Sequence, residues 1–175
     1  MFGLQKKQSR QVKFAGIKSI RNDVLEFVLS HYQTSDNTDS VHGYFLAKGQ
    51  NGYMTHFHTF EASVGYEEYV VLRLNTVLFQ GISDESSALD FVNALNRNFA
   101  HSQTLSHCVY YPETRNIASS SQTMLTITDH NFLHDFISNH ILNNKWFIDF
   151  ANSAEGLKCD FELGVRYESN SEVAH

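Results

Sequence analysis

The sequence predicts an α+β domain, an antiparallel sheet of five to six strands packed with three helices in the order α-β-β-β-α-β-β-α, plus a C-terminal strand. Three observations predict it. Apolar residues recur at helical spacing in three separate stretches, and between these lie segments that alternate or are dense in Val and Leu. Gly, Pro, Asn, Asp and Ser punctuate the junctions. The chain of 175 residues fits one domain of ordinary size, and although 42% of it is apolar, 14 Phe and 8 Tyr give a core of large side chains.

The first helical pattern runs from about Ile20 to Tyr32, with Ile20, Val24, Phe27, Val28 and His31 on one stripe and Asn22 or Asp23 able to cap it. The polar run Thr34 to Ser40 reads as a loop. Gly43 to Ala47 and Tyr53 to Phe60 read as the arms of a hairpin about Asn51-Gly52, a two-residue turn signal. Tyr69 to Phe79 follows, with Val70, Leu72 and Leu74 on one face and Val71 and Val77 on the other, the pattern of an inner strand covered on both sides for part of its length.

Gly81 ends that strand, and Ser83-Asp84-Glu85 opens the second helix with a capping residue and early acids. Its stripe is Ala88, Val92, Leu95 and Phe99. Leu105 to Tyr111 and Ile117 to Ile127 are the next strands, joined by a turn at Pro112 to Asn116. Thr128 is placed to cap the third helix, with Asp129 in its first turn. That helix carries Phe132, Leu133, Phe136, Ile137, His140, Ile141, Phe147 and Phe150 to about Ala151, which makes it the main cover of the sheet. After Gly156, Leu157, Cys159, Phe161, Leu163, Val165 and Tyr167 alternate with polar residues, the pattern of a strand with one wet face.

These boundaries divide the chain into a basic N-terminal arm (1–19), one α+β domain (20–168) and a short tail (169–175). Lys6, Lys7, Arg10, Lys13, Lys18 and Arg21 precede the first acid, Asp23, so the arm is basic. The whole chain carries −6, and six positive charges in the first 21 residues leave −12 for the rest. An acidic body repels nucleic acid, so the arm, through Lys6, Lys7, Arg10 and Lys13, is the candidate for an anionic surface. No apolar run reaches the roughly 20 residues a membrane span needs. Cys108 and Cys159 form no CxxC pair, and free buried thiols in a reducing cytoplasm are the expectation.

The segment Phe91-Val92-Asn93-Ala94-Leu95-Asn96-Arg97-Asn98-Phe99, closing the second helix ahead of a strand hairpin and a last apolar helix, resembles the signature of the YbjN-like family of bacterial sensory-transduction regulators. That family resembles the small acidic chaperones of type III secretion in fold, and the likeness spans about residues 20–151. It implies a non-catalytic, often dimeric domain that binds a protein along its helix–sheet surface, without catalytic residues to carry over. Asn93 and Asn96 can fix the helix end or the next loop through backbone hydrogen bonds.

Ten histidines are the main chemical resource. His56 and His58 stand two apart on a strand, so both face one side, and His130 and His134 stand four apart on a helix, again on one face. A zinc hydrolase built on these pairs is the enzyme alternative. Yet Asn131 stands where the HExxH motif needs glutamate, and Asp135 or His140 would have to supply a third ligand. No phosphate cradle or nucleophile elbow occurs, and His107 and Cys108, as strand neighbours, point to opposite faces. The aromatic residues fall on core-facing stripes. The leading expectation is therefore a protein partner, a homodimer among them, with no cofactor. Its candidate contact residues are Leu157, Phe161, Leu163, Val165 and Tyr167, together with the exposed parts of the sheet.

Overall fold

The computed structural model describes residues 2–46, 53–99, 106–153 and 162–163, with side chains for 16–46, 53–98 and 106–153. The fold is α+β, with helices and strands in the expected order. Helix α1 spans Phe2–His31, strands β1 Gln33–Thr34, β2 His42–Leu46, β3 Met54–Val64 and β4 Glu67–Gln80 follow, then helix α2 Glu85–Phe99. Strands β5 Ser106–Tyr111 and β6 Asn116–Leu125, helix α3 His130–Ser153 and the two-residue β7 Glu162–Leu163 complete it. The sheet order is β1-β2-β3-β4-β6-β5, with β7 beside the end of β4, and every pairing is antiparallel.

Helix α1 begins at Phe2, not near Ile20. The basic stretch is thus helical backbone continuous with the packed segment. No proline interrupts residues 2–31, and Gln, Lys, Leu and Arg are good helix formers even where no apolar stripe advertises them. Its packed part sets Ile17, Val24, Phe27 and Val28 on the sheet. The polar run begins one residue later than expected, because Thr34 pairs with Phe45 in β1. The turn residues Asn51 and Gly52 lie outside the described residues.

Strand β3 runs past Phe60 to Val64, and β4 begins at Glu67. The two residues between them, Gly65 and Tyr66, make a tight hairpin in which Gly65 has φ 63°, a conformation open to glycine at little cost. At the far end of β4 the register with β6 shifts between Val77 and Phe79. Such a bulge breaks the strict alternation, and Leu78 and Phe79 both join the cluster under α2 with Phe91, Leu95 and Phe147.

Asp84 caps α2, its Oδ2 accepting the Ser87 amide at 2.8 Å. The cap of α3 is Asp129, not Thr128: Asp129 Oδ1 accepts the Asn131 and Phe132 amides at 2.9 and 3.2 Å. Thr128 instead donates to Asp23 Oδ2 at 3.2 Å and ties α3 to α1. A carboxylate at that position also complements the helix dipole better than a hydroxyl does.

All three helices pack on one face of the sheet. Val70, Leu72 and Leu74 of β4 meet Val24, Phe27, Val28, Leu133 and Ile137. Val71 points the other way and is buried among its cross-strand neighbours Phe60 and Met124, and none of the described helices lies above it. Among the described residues no helix is long and apolar enough to cross a membrane.

Candidate interaction surface

Two features stand out from the residues upward: a polar layer inside the core and a face of the sheet that no described helix covers. The polar layer comes from the core-facing positions of β3, β4, β5 and β6, where Thr55, Thr76, Ser106, Ser119 and Ser121 replace the expected apolar residues. Helix α3 faces them with His140, Asn143 and Asn144, an i, i+3, i+4 triplet that shares one helix face. His140 Nε2 lies 2.9 Å from Thr76 Oγ1 and its Nδ1 lies 2.7 Å from Ser121 Oγ. Thr55 meets Thr76 at 2.8 Å, Ser106 meets Ser121 at 2.6 Å, Asn143 donates to Ser106 at 2.7 Å, and Asn144 donates to Thr76 at 3.0 Å.

Burial pushes the His140 imidazole down to about 3, so it is neutral, and both ring nitrogens meet hydroxyls. The Ser121–His140 contact has the length a nucleophile–base pair needs. It is closed to substrate, however: His140 is 1% and Ser121 2% exposed. The contact therefore belongs to the core, and His140 is unavailable as a metal ligand to the His130–His134 pair.

The uncovered face is built by the alternate residues of the same strands. Register places His42 opposite His58, His58 opposite Arg73, and Arg73 opposite Gln122. The next row is Tyr44, His56, Asn75, Ser120 and His107. His56 and His58 face one side, as their spacing predicts, with ring centroids 6.4 Å apart. His42, which the local pattern did not single out, joins them at 6.2 Å from His56. Tyr44 packs on His56 at 4.9 Å, and Arg73 lies over the Phe60 ring at 5.3 Å while donating to Gln122 Oε1 at 3.2 Å. Aromatic rings are thus not confined to core-facing stripes. Tyr44, Tyr111 and Met124 are large side chains exposed on this face.

Among the described residues Arg73 is the fixed cation of this face, and Asp39 stands at its margin, 3.2 Å from His42 Nδ1. The amides of His42 and Val41 hold the Asp39 carboxyl below its usual range and also fix the loop that leads into β2. Partial burial, and then the neighbouring His58 and His42, push the His56 imidazole down.

The remaining candidates separate. His130 lies against Phe27 at 5.3 Å, and His134 turns to Asp135 at 3.6 Å, so Asp135 serves as its neighbour at the surface. Among the described residues no group of three or more His, Cys, Asp or Glu side chains is placed to hold a metal ion. Leu163 pairs within the chain through its backbone, opposite Phe79 on β4. Leu157, Phe161, Val165 and Tyr167 lie outside the described residues, and so do the side chains of Lys6, Lys7, Arg10 and Lys13.

Asn96 has the structural role expected of it. Its Nδ2 donates to the Cys108 carbonyl at 2.9 Å, and its Oδ1 accepts the Cys108 amide at 2.7 Å. The side chain so occupies the outer edge of β5, where an unpaired strand edge would otherwise invite another chain. Asn93 is exposed, and its backbone carbonyl accepts Arg97 Nε at 3.2 Å. Comparison with family models and with curated proteins finds no match for this chain.

Proposed function

We propose that the chain is a non-catalytic protein-binding regulator or chaperone-like adaptor of the YbjN type, and that it docks its partner on the helix-free face of the sheet. One observation carries the reading. The described helices all lie on one side of the sheet and leave on the other a half-buried mixture of Tyr44, Phe60, Val71, Met124 and Tyr111 with interleaved amides and imidazoles. Contact surfaces favour this composition, with aromatic and methionine anchors and few fixed charges at the centre. The element order fits the resemblance once the two-residue β1 and β7 are set aside. The buried thiol of Cys108 fits a reducing cytoplasm. The zinc-hydrolase alternative has the weaker support, since its two histidine pairs gather no third ligand among the described residues.

Affinity capture from the native source tests the reading with the wild type and two variants as baits. A stoichiometric protein retained by the wild type and lost by Met124→Glu supports it. Retention by Met124→Glu combined with loss by Leu142→Glu, on the exposed side of α3, moves the contact to the helical layer. A wild type that neither binds a protein nor self-associates refutes it.

A further inference from the structure

Arg73 stands at the centre of the helix-free face. Its strand, β4, is the middle one of β2-β3-β4-β6-β5, and by alternation Arg73 is the middle residue of Tyr69, Val71, Arg73, Asn75 and Val77 on this side. The side chain is half-buried and held in place. Its guanidinium carbon lies 5.3 Å from the centroid of the Phe60 ring, and Nη2 donates to Gln122 Oε1 at 3.2 Å. Among the described residues Gln122 is its one hydrogen-bond acceptor, and no carboxylate pairs with it. Asp39 sits with His42 two strands away, roughly 10 Å at ~4.8 Å per strand. Glu67 lies six residues along β4, about 20 Å at ~3.3 Å each.

A guanidinium carries five N–H donors, and a partner that covers this one must accept them or leave a desolvated charge unpaired. Stacking on Phe60 and the bond to Gln122 fix the fork before anything docks, so little rotamer entropy is lost on binding. The amount of charge then decides which anion fits. A phosphate group brings about −1.5 to −2 and is met by clusters of arginine, whereas Arg73 is the fixed cation of this face among the described residues. A run of acids would meet the chain's own −6. One carboxylate balances one guanidinium and pairs with it through two parallel hydrogen bonds. Beside Arg73, the row of Phe60, Val71 and Met124 offers apolar contact to whatever flanks that acid.

We propose that the helix-free face takes a segment of a partner protein in which a single Asp or Glu is set among apolar residues, its side-chain carboxylate paired with Arg73. The inference rests on the reading of this face as a protein contact.

A phage-displayed library of random linear peptides, selected on the immobilised full chain, is the probe. The selected peptides are expected to share one Asp or Glu flanked by apolar residues. Synthesised with an amidated C-terminus, so that the chain end carries no carboxylate, such a peptide should bind about 30-fold more weakly to Arg73→Gln. Arg73→Lys, which keeps the charge and loses the fork, should cost about 10-fold. Changing the peptide's acid to its amide should weaken binding to the wild type as much as Arg73→Gln does, and should add almost nothing on Arg73→Gln itself. That coupling is the mark of a direct pair, and a merely structural role for Arg73 does not produce it. Additive losses overturn the pairing, as does loss of binding on amidation of the chain end. Peptides without a shared acid that are lost on Met124→Glu overturn the inference and leave the face standing as a docking surface. Peptides bound equally by the wild type and Met124→Glu overturn both. If no peptide is selected, the inference falls, and affinity capture decides the reading of the face separately.

Discussion

Replacing His140 with leucine removes both acceptor and donor from the middle of a buried hydroxyl chain while keeping the bulk. In the folded protein His140 meets Thr76 at 2.9 Å and Ser121 at 2.7 Å, both inside the core. Thr76 keeps Thr55 and Asn144, and Ser121 keeps Ser106, so neither hydroxyl is orphaned. The loss is two buried hydrogen bonds and an imperfect apolar fit, about 3 kcal/mol. A pH series sharpens the test. Burial holds the folded imidazole down to about 3, whereas in the unfolded chain it titrates near its ordinary value of about 6.5. The unfolded state thus binds the extra proton across that window. The wild type's stability is intact above about pH 6.5 and falls roughly tenfold in the folding equilibrium per pH unit below it, down toward 3. His140→Leu lacks that slope. The gap between the two proteins should shrink from about 3 kcal/mol at pH 7.5 to about 2 at pH 5.5, and close near pH 4.5. Urea denaturation at each pH, read from midpoints and m-values, measures it. A cost below about 1 kcal/mol at pH 7.5, or a gap that stays constant with pH, refutes the reasoning.

Asn96→Ala removes both side-chain bonds to the Cys108 backbone and leaves a half-buried strand edge unpaired; a loss of about 2 kcal/mol is expected by chemical denaturation, with faster amide exchange at Cys108. Gly43→Ala puts a methyl 2.5 Å from Thr38 Oγ1 and 2.9 Å from Phe57 Cε1, so thermal melting should show a loss of about 1–3 kcal/mol. Burial pushes the Cys108 thiol far up; peptide mapping after alkylation of the native protein at pH 8 should find Cys108 unmodified, and modified once urea is added.

The elements with a strong local period were legible. Strand β4, helices α2 and α3 and the facing of His56 and His58 follow from spacing alone. What depends on register was not. His42 joins the histidine cluster because it pairs with His58 across β2 and β3, and no local window contains that fact. The polar layer left a trace, His140-x-x-Asn143-Asn144 within an apolar helix and three serines in one strand. Each part is unremarkable until the sheet sets Ser121 and Thr76 beneath His140. The cap of α3 was misjudged by one residue, since Thr128 and Asp129 are both good caps and the choice rests on Thr128 reaching Asp23 on α1. The N-terminal half of α1 has helix-forming residues without an apolar stripe, which composition cannot separate from a solvated arm.

Hydroxyl-radical footprinting of the assembled protein at pH 7.5 tests the central claim most directly, because the two sides carry matched reporters. Tyr44 and Met124 on the helix-free face are 45% and 53% exposed, and Phe132 and Leu142 on α3 are 43% and 62% exposed. The account predicts that Tyr44 is several-fold protected in the partner-bound wild type relative to the free wild type and to Met124→Glu, and Met124 relative to the free wild type, with Phe132 and Leu142 unchanged. Protection of Phe132 and Leu142 with Tyr44 and Met124 fully reactive would contradict it.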